Sequence, residues 1–155
     1  MFDDLRDLYQ EVILDHGRKP RNFRRLEDAD RTARGDNPMC GDRMELFLKL
    51  RPDGAIEDVA FQGRGCAISM ASASLMTETV KGKSPAEAHI LGDRFRNLAM
   101  TGACPDCGAS LEEEMERLQP LSGVHEFPSR VKCATLAWHT LNAALDGSGK
   151  EATSE

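Results

Sequence analysis

The spacing of apolar and polar residues predicts one helix followed by a small sheet. In the first segment apolar residues recur at helical spacing, and the helix is expected to end near His16; the apolar positions are Leu5, Leu8, Tyr9, Val12 and Ile13. Every second residue over 44–50 is apolar, which is typical of a half-buried strand. A Pro-Asp-Gly turn leads into a return strand over 56–62, and residues 31–36 form a weaker third strand. The three strands predict an antiparallel sheet.

The second half of the chain has the pattern of helices. Small residues over 67–80 predict a helix that packs closely on another backbone. A capping box at 84–87 opens a helix that is expected to end near residue 100. Residues 111–118 predict a short acidic helix, and an apolar stripe over 130–145 predicts the last one. The predicted fold class is α+β, with a small three-stranded antiparallel sheet flanked by helices.

The composition narrows the class of protein. The chain has 155 residues, the size of one domain, which we assign to residues 1–146 with a disordered tail over 147–155. Its formal net charge of −6 argues against nucleic acid as a partner, because nucleic-acid-binding domains usually carry a basic footprint. No apolar run exceeds three residues, so we expect no transmembrane span, no membrane partner and a cytoplasmic location.

The cysteines direct attention to metal or sulfur chemistry, because five is an odd number and cytosolic thiols are normally reduced. Cys66 is expected at a helix start and Cys133 in the first turn of the last helix, where free N–H groups favour a thiolate. Cys40 and Asp42 are two residues apart in a predicted extended segment, so their side chains point to the same side. These four residues could bind tetrahedral zinc. Their spacing alone leaves three inert buried thiols as an equal alternative.

Four motifs occur in order along most of the chain. They are Tyr9-x-x-Val12-Ile13-Leu14-Asp15-His16 with Pro20-Arg21-Asn22, Gly35-Asp36-Asn37-Pro38-x-Cys40-Gly41-Asp42, Gly63-x-Gly65-Cys66-Ala67-Ile68-Ser69 with Ala71-Ser72-Ala73-Ser74, and Arg130-x-Lys132-Cys133-Ala134-x-Leu136-x-Trp138. Together they resemble the motifs of the iron–sulfur cluster assembly scaffold family, the NifU-like proteins. Two features resemble its SufU-type branch. Lys132 stands where the general scaffold branch tends to carry His, and the segment over 80–124 is longer than a minimal scaffold needs.

The resemblance implies a SufE/NifU-like fold and a metal site built from Cys40, Asp42, Cys66 and Cys133. The family receives sulfur from a cysteine desulfurase that depends on pyridoxal phosphate, here of the SufS type. It serves downstream iron–sulfur assembly or acceptor proteins. SufU-type members resemble zinc-bound acceptors of persulfide sulfur, whereas the wider family assembles a transient [2Fe–2S] cluster on the same ligands.

Cys40 is the expected sulfur acceptor within this site. A thiolate has to leave the metal before it accepts sulfur, and Cys40 lies on a Gly- and Pro-rich loop, whereas Cys66 and Cys133 are anchored at helix starts. The main alternative is a scaffold protein that assembles a [2Fe–2S] cluster on the same ligands. Whether the chain is an enzyme stays open: it is at most a zinc-dependent sulfurtransferase and otherwise a non-enzymatic scaffold.

A Cys-x-x-Cys pair, Cys104 and Cys107, departs from the family pattern. The sequence contains no second pair to complete a zinc knuckle and no βαβ context for a redox site. An incidental or locally structural pair is the main interpretation; redox behaviour and a second metal site are the alternatives. A thiol oxidoreductase would need this pair and would not need Cys40. A further alternative is a zinc-stabilised adaptor that only binds partners.

Overall fold

The helices and strands follow the predicted order. The computed structural model describes residues 2–103, 111–147 and 152–153. The main elements are α1 (Phe2–Arg18), β1 (Arg31–Asn37), β2 (Asp42–Leu50), β3 (Ile56–Arg64), α2 (Ala67–Val80), α3 (Pro85–Thr101), α4 (Glu112–Leu118), a 3-10 helix (Gln119–Glu126) and α5 (Pro128–Asp146).

The three main strands form an antiparallel sheet with β2 in the centre. At one end of the sheet Asn37 of β1 is opposite Asp42 of β2, and Arg43 of β2 is opposite Arg64 of β3. The β1–β2 turn therefore lies close to the end of β3 and the start of α2. The prediction of an α+β fold with a three-stranded antiparallel sheet flanked by helices is confirmed.

The predicted disordered tail differs from the structure at two residues. Ala152–Thr153 form a short strand, β4, that is parallel to β1 and pairs with Gly35 and Asp36. The outer edge of β1 offers unpaired N–H and C=O groups, which favour pairing with another segment. Nothing in the local composition of the tail signals such long-range pairing. Residues 148–151 and 154–155 lie outside the described part of the chain.

The side chains of β2 are buried on both faces of the sheet. Leu46 and Leu48 belong to the main core between the sheet and the helices. Phe47 points to the other face and is buried in a small cluster with Leu26 and Ala60. The alternating pattern predicted a half-buried strand, but the connector between α1 and β1 brings Leu26 across the outer face. A connector of this kind leaves no periodic signal in the strand itself.

The boundaries of α2, α3 and α4 agree with the local signals of the sequence. The capping box of α3 is present, because the Ser84 hydroxyl accepts the Glu87 N–H and the Glu87 carboxylate accepts the Ser84 N–H. The segment predicted as a loop before the last helix is instead the 3-10 helix, which has Pro120 in its first turn. Among the described residues, no helix is both long enough and apolar enough to cross a membrane.

A buried polar network fixes the end of α1 against α2. His16 Nδ1 lies 2.7 Å from Ser74 Oγ, and the same hydroxyl accepts the backbone N–H of Arg21 at 2.8 Å. Burial lowers the pKa of His16, and the charge of Arg21 acts in the same direction. The apolar face of α1 is less covered than its pattern predicts, since Leu8 is 53% exposed. Leu14, also exposed on α1, lines the groove described below.

Candidate metal centre

The turn between β1 and β2 positions Cys40 and Asp42. The backbone carbonyl of Asn37 accepts N–H groups from Cys40 at 3.2 Å and Gly41 at 2.9 Å, and Gly41 adopts a φ of +73°. The segment was expected to be extended, with Cys40 and Asp42 on one side by simple alternation. That reason is wrong: Cys40 lies in a tight turn, and Asp42 is the first residue of β2. A glycine at position 41 takes the left-handed backbone without strain.

Cys66 caps the N-terminus of α2, as predicted. Its Sγ accepts the backbone N–H of Ser69 at 3.4 Å, and its own N–H donates to Asp42 Oδ1 at 3.0 Å. The preceding residue has to be small, because a Cβ at Gly65 would lie 2.6 Å from Asp42 Oδ1. These contacts hold Cys66 at the start of α2, beside the carboxylate of Asp42.

Cys133 lies deeper in α5 than expected. The sequence predicted a helix start at residue 130, but Pro128 occupies the first turn, so Cys133 falls in the second turn. Its N–H is therefore not one of the free groups at the helix start, and the predicted activation by them is wrong. Its side chain is fully buried, and its Sγ is 3.7 Å from the carbonyl of Ser129. Burial raises the pKa of the Cys133 thiol, and a contact with Asp42 adds to this effect.

Three of the four predicted ligands meet in the structure. One ligand atom each from Cys40, Asp42 and Cys133 lies within 4.8 Å of the other two, and the two sulfur atoms are 3.3 Å apart. Cys66 is not a member of this tight group. It lies beside it, however, because its backbone contacts Asp42 and its sulfur contributes to the raised pKa of Cys133.

Two further residues at the site were not predicted as functional. Asn37 is fully buried, and its Nδ2 donates to Asp42 Oδ2 at 3.1 Å and to Cys133 Sγ at 3.5 Å. Arg130 is exposed and faces the thiols; an electrostatic interaction with Cys66 and a hydrogen bond to Cys133 raise the pKa of this guanidinium. Both residues belong to the motifs quoted above, which gave the only signal for them in the sequence.

The chemistry of these side chains fits a thiophilic metal ion. Thiolates and a carboxylate are ligands of tetrahedral zinc, with Zn–S distances of about 2.3 Å. Two thiolates on such an ion are separated by roughly 3.7 Å, close to the 3.3 Å between Cys40 and Cys133. Both oxygens of the fully buried Asp42 accept a hydrogen bond, one from the Cys66 N–H and one from the Asn37 amide, and these two bonds hold the carboxylate in place beside the thiols.

An apolar groove of about 820 Å³ opens next to this group. The residues that line it come from α1, from the start of α2, from the 3-10 helix and from the start of α5; they include Tyr9, Ile13, Ala67, Phe127 and Arg130. Ala67 follows Cys66 directly, and Arg130 faces the thiols. The groove and the thiols therefore share one end of the molecule.

Comparison with known proteins agrees with this fold and identifies the family. The family model for the NifU-like N terminal domain matches residues 8–150. A zinc-dependent sulfurtransferase, SufU, from Bacillus subtilis is 43% identical over 92% of this chain and 92% of its own length. The iron-sulfur cluster assembly scaffold protein IscU from Streptococcus pyogenes is 40% identical over 91% of this chain and 84% of its own length.

Solved structures show the same architecture. A proposed iron-sulfur cluster assembly scaffold protein for the SUF system from Fervidobacterium islandicum superimposes with a TM-score of 0.78 at 34% identity, covering 87% of this chain and 94% of that one. The chain therefore belongs to the NifU-like N-terminal domain family, whose relatives include the IscU and SufU proteins of iron–sulfur cluster assembly. The resemblance inferred from the four motifs is confirmed. Cys104 and Cys107 lie outside the described residues.

Proposed function

We propose that this protein is a zinc-binding acceptor of persulfide sulfur in iron–sulfur cluster assembly, of the SufU type. The observation that carries the proposal is the pairing of an exposed thiol, Cys40, with two buried ligands, Asp42 and Cys133. Cys66, at the start of α2, supplies the fourth ligand. The 43% identity to a relative named as a zinc-dependent sulfurtransferase supports this choice within the family.

Sulfur transfer to Cys40 needs no external oxidant or reductant. The Cys40 thiolate attacks the outer sulfur of the donor's Cys–S–SH group. A new S–S bond forms at Cys40, the S–S bond of the donor breaks, and the donor cysteine leaves as a thiolate; the proton stays on the transferred sulfur. Zinc, when bound, holds the thiols of the site in their thiolate form. The sulfur donor in this proposal is a pyridoxal-phosphate-dependent cysteine desulfurase, and the reaction takes place in the cytoplasm.

Access selects Cys40 among the three thiols. Cys40 is exposed, Cys66 is partly buried and Cys133 is buried. The neighbours of Cys40 are also open, since Met39 is 67% exposed and a Cβ at Gly41 would meet no atom within 4 Å. A persulfide carried on the surface of another protein can thus reach Cys40, whereas the side chain of Cys133 is closed off from the solvent.

The second candidate function is a scaffold for a [2Fe–2S] cluster on the same residues. The 40% identity to a relative named as an IscU scaffold supports this alternative. Thiolates bind zinc and iron–sulfur clusters alike, so the ligand set does not separate the two functions. In both cases the products serve downstream assembly or acceptor proteins.

Metal and sulfide analysis after anaerobic purification tests the proposal against this alternative. We expect about one zinc per chain and no acid-labile sulfide. The purified protein is then incubated with a cysteine desulfurase and cysteine, quenched with an alkylating reagent and digested, and the persulfide is located by mass spectrometry. Persulfide on Cys40 supports the proposal. Iron with acid-labile sulfide, or persulfide on Cys133 alone, would overturn it in favour of the scaffold function.

A further inference from the structure

Asn37 connects three of the site residues through separate groups. Its side-chain Nδ2 lies 3.1 Å from Asp42 Oδ2 and 3.5 Å from Cys133 Sγ, while its backbone carbonyl accepts the N–H groups of the turn that contains Cys40. An amide NH2 carries two hydrogens, one for each side-chain contact. The contact with Cys133 spans 96 residues of sequence and crosses from the end of β1 to α5.

The orientation of this amide is determined by its neighbours. With Nδ2 toward the site, the amide presents donors to a carboxylate and a sulfur. In the reverse orientation its carbonyl oxygen would face the carboxylate oxygen of Asp42, and two acceptors would repel each other. Asn37 Oδ1 is left buried, and it has no hydrogen-bond partner among the described residues. A buried acceptor without a donor destabilises the fold, so the unpaired Oδ1 is a cost of this orientation.

The two neighbouring thiols differ in the donors that reach them. The Asn37 amide donates to Cys133 Sγ. Among the hydrogen bonds of the described residues, none brings an N–H group to Cys40 Sγ. An N–H···S bond stabilises the negative charge on a thiolate and withdraws electron density from it, so the sulfur becomes a weaker nucleophile and a less basic ligand. Groups that hydrogen-bond to metal ligands commonly orient them and adjust their properties in this way.

We propose that Asn37 is a positioning residue that holds the carboxylate of Asp42 toward the metal and keeps Cys133 as the unreactive ligand. The inference rests on the proposed function, because it assumes that Asp42 and Cys133 bind the metal. Asn37 reaches both through its amide and leaves the sulfur of Cys40 without such a donor. The Asn37 side chain, at the end of β1, thus contributes to the difference between Cys133, which anchors the metal, and Cys40, which accepts sulfur.

The test compares Asn37→Leu with Asn142→Leu. Leu keeps the branched shape of Asn, with the same number of side-chain heavy atoms, and removes both the donor and the unpaired acceptor. Asn142 is a matched control, because it also carries a buried Oδ1 without a partner among the described residues, and it lies nine residues beyond Cys133 on α5. Each variant is loaded with zinc to measure release to a colorimetric chelator, and with Co²⁺ to record the sulfur-to-cobalt charge-transfer band. Circular dichroism of the metal-free proteins monitors folding.

In Asn37→Leu we expect zinc release to be faster by about tenfold, the usual size of such effects, because Asp42 loses the donor that orients its carboxylate. The charge-transfer band should move to longer wavelength, because the Cys133 thiolate loses the donor that withdraws electron density from it. Asn142→Leu should match the wild type in both measurements. A folded Asn37→Leu with wild-type release and an unshifted band would overturn the inference. If Asn37→Leu does not fold, Asn37→Ser is measured in the same way; if neither variant folds while Asn142→Leu does, Asn37 is a folding residue and the inference is wrong. A wild-type protein that binds neither zinc nor Co²⁺ would overturn the proposed function itself.

Discussion

Cys40 and Cys133 carry the same thiol group 3.3 Å apart, and the fold gives them opposite surroundings. Cys40 is exposed on a turn of four residues between two strands, and its neighbour Met39 is also exposed. Cys133 is buried within α5, where it contacts the Asn37 amide and the carbonyl of Ser129.

The difference shows how one cluster can combine reactivity with retention of a metal. Burial raises the pKa of the Cys133 thiol, so without a bound cation this group stays protonated and weakly nucleophilic. A thiol in that position gains most from a metal ion, which replaces its proton. Cys40 is open to another protein from the solvent side. Both residues carry the same thiol group. Their positions in the fold, one on an exposed turn and one buried in a helix, determine which of them can react.

The largest expected effect follows from replacing the exposed thiol. Cys40→Ser should abolish sulfur acceptance from a cysteine desulfurase, because the serine hydroxyl is not a nucleophile toward persulfide sulfur under these conditions. Its thermal unfolding in the metal-free form should match the wild type, since the side chain makes few contacts. Mass spectrometry of the alkylated protein measures the first quantity and circular dichroism the second. If this variant still carries a persulfide, Cys40 is not the sulfur acceptor and the proposed difference between Cys40 and Cys133 is wrong.

Replacing the anchoring thiols should remove the metal instead. For Cys66→Ala combined with Cys133→Ala we expect loss of the single bound zinc and a clear fall in the temperature of unfolding. Structural zinc binds small peptides with about 10–16 kcal/mol, comparable with the total stability of about 5–15 kcal/mol for a domain. The core of this chain does not depend on these residues alone, so the metal-free form should fold and be less stable. Metal content and thermal unfolding measure both effects; full zinc retention would refute the site.

The helices and strands can be predicted from the sequence, because the patterns that indicate them extend over only a few neighbouring residues. The apolar repeat over 67–80 and the capping box at 84–87 act within a few residues, and the structure has the corresponding helices at those places. The three strands were recognised from alternation and turn residues in the same way. What local patterns could not reveal is pairing at a distance, such as β4 beside β1 or Leu26 packed on Phe47.

The metal site depends even more on contacts between residues that are distant in the sequence. The chemistry of cysteine indicates its four ligands and the motifs favour them over inert thiols, whereas two of the geometric reasons are wrong, because Cys40 lies in a turn and Cys133 in a second helical turn. Asn37 was overlooked as a functional residue. Its importance depends on a contact with a residue 96 positions away, and no periodicity or capping rule reports such a contact.

A smaller effect on zinc binding is expected from a substitution that displaces Asp42 and leaves Cys40 and Cys133 unchanged. In Gly65→Ala the new Cβ would lie 2.6 Å from Asp42 Oδ1, so the carboxylate has to shift away from the Cys66 N–H. Zinc affinity should fall by about tenfold, as is usual when a supporting contact of a ligand is lost. Gly123→Ala is the control, because a Cβ there meets no atom within 4 Å. Competition with a chelator measures both variants. Equal affinities would mean that this contact does not support the site.

The smallest effect is expected for the two cysteines that stand apart from the motifs. Replacing both Cys104 and Cys107 with Ser should leave zinc content and sulfur acceptance at Cys40 nearly unchanged, because the proposed site already has four ligands without them. The same metal analysis and persulfide mapping apply, with the double variant at Cys66 and Cys133 as the positive control for metal loss. If the variant at 104 and 107 loses its zinc, the pair forms a second metal site. If it alone loses activity while Cys40→Ser remains active, the protein is a thiol oxidoreductase. In either case the contrast between Cys40 and Cys133 would no longer account for the chemistry.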